Sequence, residues 1–187
     1  ECVYEIAEKS LNDLYDIIDN QYGITCFSKK PDIPLMWSHY ADKHRGFVVE
    51  YDISQIDEED IDKILYLMPV NYSKTRPKIN VFELQKYKEH SIRTQMIAPI
   101  IKEVLDMIFV KAKEWDYEEE IRNIVYVNDE SERKIDFKYV KSIYLGVKAS
   151  DNLISLMKEL CKKEKWSLYK YEIHDDEYRL CSHQIEI

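Results

Sequence analysis

The stretch LMWSHYADKHRGFVVEYD, from Leu35 to Asp52, constrains the fold more than any other part of the chain. Pro34 suits the first turn of a helix, and the spacing predicts one over Leu35 to His44, two to three turns long. Arg45-Gly46 then reads as a stop, followed by a strand from Phe47 to Ile53. A helix built only to pack does not need Trp37, Ser38, His39, Tyr40, His44 and Arg45 together. A strand buried on both faces would not carry Glu50. A second polar cluster, Trp115-Asp-Tyr-Glu-Glu-Glu-Ile-Arg122, has the same character. The two predict the halves of one polar cleft.

Apolar residues elsewhere recur with helical or strand period. Val3, Ala7, Leu11, Leu14, Tyr15 and Ile18 form a helical stripe, and Ile24 to Phe27 is a short strand beyond Gly23. Ser28 to Pro34 is a loop. Ser54 to Asp62 is an acidic loop or short helix, and Leu65 to Tyr72 is a strand ending in the Ser73-to-Pro77 turn. The longest helical pattern, Val81 to Lys113, should kink at Pro99. Glu120 to Val127, Lys134 to Phe137 and Val140 to Leu145 read as strands. Ser150 caps a helix whose core face is Leu153, Leu156, Met157 and Leu160. Trp166 to Ile173 and Tyr178 to Ile187 form an antiparallel hairpin around Asp175-Asp176. The whole reads as a single α+β domain, residues 1–187, with a mostly antiparallel, split sheet, interspersed helices and one long kinked helix.

Charge and cysteine usage narrow the function classes. A net charge of -9 argues against general nucleic-acid binding, which draws its affinity from phosphate neutralisation. Lys74, Arg76 and Lys78 make only a local basic strip. The four cysteines are widely spaced, without CxxC pairing, which predicts reduced thiols and a cytoplasmic setting. No apolar run spans a bilayer, so no membrane partner is expected. His174-Asp175-Asp176 resembles a metal-binding triplet, but a hairpin turn accounts for it; no metal site is expected. Cys26 sits on an apolar strand, where an inert thiol is the default.

Within the first cluster, helical spacing puts His39 on one face with Leu35, turned toward the sheet, and Tyr40 on another with Met36. His39 there is either a core histidine or a group that orients a ligand or moves a proton. Trp37 and Tyr40 either pack or stack on a planar ring. Glu50 shares a strand face with Val48 and Asp52. Facing inward, it needs Arg45, His39 or Arg122 as partner. In the second cluster an extended chain puts Glu118, Glu120 and Arg122 on one face, with Trp115 and Tyr117 as an apolar wall. A helical chain instead makes Glu118 and Arg122 a surface pair one turn apart.

Gly23-Ile-Thr-Cys-Phe-Ser28, Leu35-Met-Trp-Ser-His-Tyr-Ala41, His44-Arg-Gly-Phe47 and Trp115-x-Tyr-Glu-x-Glu-x-Arg122 resemble the bacterial family catalogued as domain of unknown function 2971. Ile143-Tyr-Leu-Gly146 is similar to its C-terminal strand. The likeness runs from about Gly23 to Leu180 and implies the fold rather than a reaction. Longer members open with a Leu-Tyr-Lys-Tyr strand and an Asn-Asp-Pro-Phe segment, so the resemblance implies an N-terminal segment that this chain lacks.

In a looser sense the arrangement is similar to ADP-ribosyltransferase domains. That likeness implies NAD as a substrate, with no covalently bound cofactor, and a toxin or phage-defence setting. It makes Glu120 or Glu118 the glutamate that holds the nicotinamide ribose, with Tyr40 or Trp37 stacking and Arg45 or Arg122 meeting the diphosphate. His39, Tyr40, Glu118, Glu120 and Arg122 are accordingly the candidate catalytic residues. Ser28, Trp37, Arg45, Glu50 and Trp115 are the candidate ligand contacts. Two rivals use the same cleft: a non-catalytic sensor or interaction domain for a nucleotide or peptide, and a nucleic-acid-processing effector with a basic rim.

Overall fold

The apolar stripe at the start of the chain becomes helix α1, Val3–Gln21, in the computed structural model. The structure describes residues 3–61, 66–78, 106–127 and 138–187. By its internal contacts the chain divides into two compact units, each described by itself below. The first is Glu1–Phe27 with Asp62–Ile135, and the second is Ser28–Ile61 with Asp136–Ile187.

The first unit takes α1 directly into strand β1, Tyr22–Ser28. Strands β3, Tyr66–Pro69, β4, Asn71–Ser73, β5, Val110–Ala112, and β6, Glu120–Tyr126, complete its sheets. β6 is the centre of a three-stranded sheet ordered β1-β6-β3, and β3 runs antiparallel to it. β4 and β5 form a separate parallel ribbon that pairs Tyr72 with Lys111. The single strand expected over Leu65 to Tyr72 is thus two strands in two sheets. The break follows Pro69, which closes the ladder against Ile121 and has no N–H to continue it. Beyond it, Val70 N–H donates to Glu120 O at 2.9 Å and Asn71 N–H to Phe109 O at 2.7 Å.

The expected helix over Val81 to Lys113 needs a similar correction at its C-terminal end. Residues 106–108 are helical, but Val110–Ala112 is β5, and Lys113–Glu118 is a 3-10 helix. A β-branched valine and pairing with β4 outweigh the helical period there. The Pro99 kink and the strand over Lys134 to Phe137 lie outside the described residues. Ile124 and Phe109 form a buried cluster, with Tyr22 and Ile108 packed against it.

The second unit holds helix α2, Pro34–Tyr40, and strand β2, Phe47–Tyr51, followed by a 3-10 turn at Ile53–Gln55. Strand β7, Val140–Leu145, leads through helix α3, Asp151–Glu164, to β8, Ser167–Ile173, and then β9, Leu180–Gln184. The sheet is ordered β2-β7-β8-β9. β2 and β9 run antiparallel to their neighbours, while β7 and β8 are parallel, as a helical crossover allows. Antiparallel pairing therefore dominates the two larger sheets, and the class is α+β.

α2 ends at Tyr40, not His44. Asp42, Lys43 and His44 all have positive φ, at 45°, 53° and 69°, so the chain leaves the helix in a left-handed turn. Gly46 N–H closes that turn on Ala41 O at 2.9 Å. At seven residues α2 is too short to stand alone. Burial of Trp37, worth about 3 kcal/mol for a large side chain, holds it against Tyr171 and Leu180. The opposite core joins Ile143, Leu145 and Leu168 to Met157 and Cys161 of α3. Leu156, expected on that face, is 58% exposed, and Cys161 fills the inward position in its place. Ser150 caps α3 as expected, its Oγ accepting Leu153 N–H at 3.3 Å.

Candidate functional site

The two polar clusters fall in different units. In the second unit, α2 directs Trp37 inward and its neighbours outward. Trp37 is 1% exposed, its Nε1–H donates to Pro31 O at 2.6 Å, and its ring meets the edge of Tyr171 at 5.3 Å. His44 stacks parallel to the indole, with centroids 6.4 Å apart. Trp37 is a core residue in this arrangement, its ring taken up by protein neighbours.

His39 does not turn toward the sheet. It is exposed, as is Leu35, and its ring meets Tyr40 edge-on at 6.1 Å. Tyr40 is also exposed, and Arg45 lies at the surface with Asp42 at 4.0 Å. The inward histidine of this element is His44. Burial, and then the charge of Lys148, lower its basicity below the ordinary histidine value.

The partners expected for Glu50 are corrected as well. It accepts Lys141 Nζ–H at 2.7 Å and Tyr144 O–H at 3.0 Å, both from the adjacent strand β7. Burial alone would raise its carboxyl. Bonds from Lys141, Tyr144 and Ser142 outweigh that and keep it below the ordinary glutamate value. Tyr144 in turn is pushed up to about 12, first by burial and then by Glu50. Its ring stacks between Tyr169 at 4.9 Å and Tyr171 at 5.7 Å. Ser28 is held in a tight turn, its Oγ accepting Lys30 N–H at 3.2 Å.

The first unit gathers a charged cluster at the start of β6. Glu118 ends the 3-10 helix and is not on the strand, so the extended arrangement of 118, 120 and 122 applies only from Glu120 onward. Glu119, with φ at 44°, makes a left-handed step between the two neighbouring glutamates. Both are buried: Glu118 is 2% exposed and Glu120 5%.

Lys111 Nζ donates to Glu118 Oε2 and, at 3.0 Å, to Glu120 Oε2. Arg122 grips Glu120 through Nε at 2.7 Å and Nη2 at 3.1 Å, and its Nη1 donates to Ile108 O. The Glu120 backbone N–H donates to the Tyr72 hydroxyl at 2.8 Å. Lys111 Nζ also lies 5.2 Å from the centre of the Trp115 ring, which is 38% exposed.

The electrostatics follow from this packing. Burial pushes the Glu120 carboxyl up, but bonds from Arg122, Cys26 and Lys111 outweigh it and hold the group at about 2. Glu120 is therefore an ionised, fixed carboxylate at neutral pH and does not exchange protons there. The same neighbourhood pushes Cys26 up to about 11, through burial first and then Glu120. Although exposed, its thiol is not a thiolate nucleophile.

The structure thus brings Glu118, Glu120, Arg122 and Trp115 together around Lys111. Sequence reasoning passed over Lys111 and Tyr72. Lys111 was hidden in the tail of a helical pattern, and two lysines, Lys111 and Lys113, precede the acidic run, so the sequence does not single out the one that bridges the glutamates. Among the described residues no group of three His, Cys, Asp or Glu side chains is placed to hold a metal ion. His174 Nδ1 accepts Asp176 N–H at 3.2 Å, as a hairpin turn requires. Lys74, Arg76 and Lys78 are exposed on the segment after β4. No helix among the described residues is long and apolar enough to cross a membrane.

No curated protein and no solved structure matches the chain. A family model does match over residues 36–123, a span that takes in both polar clusters and leaves out the Ile143-to-Gly146 strand. That match supports the family described as Protein of unknown function (DUF2971), a description that assigns no activity.

Proposed function

We propose that the chain is a NAD-using enzyme with ADP-ribosyltransferase-like chemistry, acting in a bacterial toxin or phage-defence system. The observation that carries the reading is Glu120, an ionised carboxylate fixed by Arg122 and Lys111 beside the half-open face of Trp115. A carboxylate held at about 2 is unsuited to proton transfer at pH 7. It is suited to accepting a ribose hydroxyl and to stabilising positive charge at C1′ while the bond to nicotinamide breaks. The leaving nicotinamide takes the bonding electron pair, and an acceptor nucleophile then attacks C1′.

The test is incubation of the protein with labelled NAD and cell extract. Release of nicotinamide that is lost in Glu120→Gln supports the proposal. A wild-type protein that leaves NAD intact overturns it.

One observation favours a second reading. Both Glu120 oxygens are already engaged by protein donors, which suits a domain that recognises a nucleotide without consuming it. In that case the nucleotide raises the melting temperature and is recovered unchanged, and Arg122→Ala removes the shift.

A further inference from the structure

We infer that Lys111 is the positioning residue that makes Glu118 and Glu120 a fixed pair. A left-handed step at Glu119 separates the two glutamates, and both carboxylates reach the same lysine nitrogen. Two buried carboxylates repel each other, and each is costly to hold out of water without a charged donor. Lys111 supplies one donor to each, from a single nitrogen 20% exposed along its side chain. Its own position is set from three directions. β5 carries it in register with Tyr72, whose hydroxyl holds the backbone of Glu120. The Trp115 ring covers the ammonium. The 3-10 helix beginning at Lys113 returns the chain so that Glu118 closes on it.

The ribbon of β4 and β5 therefore acts as a clamp, with Tyr72 on the main chain and Lys111 on the side chains. Arg122 does not duplicate this role. Its guanidinium grips Glu120 and Ile108 O, whereas Lys111 bridges the two glutamates. The inference bears on the nucleotide site proposed above only through ligand affinity; the bridge itself is independent of what binds there.

The experiment is a carboxyl-carbon NMR titration of the wild type, Lys111→Met and Lys111→Arg between pH 3 and 7, with Glu120 assigned through Glu120→Gln. Wild-type Glu120 stays ionised down to pH 3. In Lys111→Met its titration moves upward by a pH unit or more, a tenfold rise in proton affinity, and Lys111→Arg returns it to within a few tenths of a unit. A merely structural lysine would not be rescued by charge. If Lys111→Met is too unstable to titrate, Lys111→Gln gives the same readout with an uncharged donor.

An unchanged Glu120 titration in the folded Met or Gln variant overturns the inference. NAD affinity is measured on the same samples. A wild type that fails to bind NAD but loses its carboxyl shift in Lys111→Met rejects the proposed ligand and retains the bridge.

Discussion

Ser38 Oγ lies 3.0 Å from Nε2 of His44, so the last turn of a short helix is bonded to the end of the left-handed turn that follows it. The serine hydroxyl proton is already committed to Pro34 O at 3.1 Å. The hydrogen in the Ser38–His44 bond must then sit on Nε2, which leaves Nδ1 a bare lone pair. That atom is buried without a hydrogen-bond partner among the described residues.

Protonating His44 would bury a new N–H and add a charge near Lys148. Burial and Lys148 accordingly hold it below the ordinary 6.5. The folded chain binds fewer protons at this ring than the unfolded chain, so its contribution to stability rises with pH. That contribution is full above pH 6.5 and is lost as the pH falls below it. Urea midpoints measured from pH 7.5 to 5 should drop in the wild type and drop less in His44→Asn, a residue that tolerates the left-handed backbone. Equal slopes in the two proteins would refute the assignment.

Gly146 meets the same turn from the other side. A Cβ added there would lie 2.7 Å from the carbonyl carbon of His44 and closer still to its oxygen. These are backbone atoms: the His44 carbonyl accepts Lys148 N–H at 2.9 Å, and Gly146 itself is tied down by its N–H donating to the Gly46 carbonyl at 3.0 Å. Gly146→Ala should therefore cost about 1–3 kcal/mol as overpacking, read from urea unfolding. Gly23→Ala, whose nearest contacts are side-chain methyls of Val125 and Val127 at 3.3 Å, should cost less.

Removing the Glu120 charge leaves Arg122 without its carboxylate partner in a largely buried site, while Lys111 keeps Glu118. Glu120→Gln should cost on the order of 3 kcal/mol at pH 7, as for other broken buried pairs. The folded carboxyl is held down from 4.5 to about 2. Its contribution is thus complete above pH 4.5 and is lost as the pH falls through about 2. The gap between wild type and variant should be smaller at pH 3 than at pH 7, and a constant gap would contradict the paired geometry.

Ser150 is the plainest local test. Its hydroxyl accepts Leu153 N–H at the first turn of α3, and Ser150→Ala should lower stability by about 1 kcal/mol. Calorimetry of the two proteins checks this.

Local chemistry was legible in the sequence, and long-range pairing was not. β7 runs from Val140 to Leu145 as the Val-Lys-Ser-Ile-Tyr-Leu pattern predicts, and Ser150 caps the next helix. The closing hairpin forms as expected, with β9 starting at Leu180. The early end of α2 was hidden because Asp42, Lys43 and His44 take positive φ without a glycine to announce it. Glu50 was seen as needing a cation, but its partners are Lys141 and Tyr144, more than ninety residues away. No periodicity reports such a contact. Glu118, Glu120 and Arg122 were recognised together because they are neighbours in the chain. Lys111 was missed because only a parallel partner strand turns Val110-Lys111-Ala112 from helix into strand.

That parallel ribbon also bears on the order in which the molecule assembles. β4 and β5 cannot close as a hairpin, since the chain from Ser73 must travel to Val110 before the two strands meet in the same direction. Non-local pairings of this kind are slow, because the loop entropy is lost before any contact repays it. Lys111 comes into register with Tyr72, whose hydroxyl holds the Glu120 backbone, only through that pairing. The charged cluster is thus built on a long-range contact, and losing the β4–β5 pairing should unseat the bridge to Glu118 and the bridge to Glu120 together.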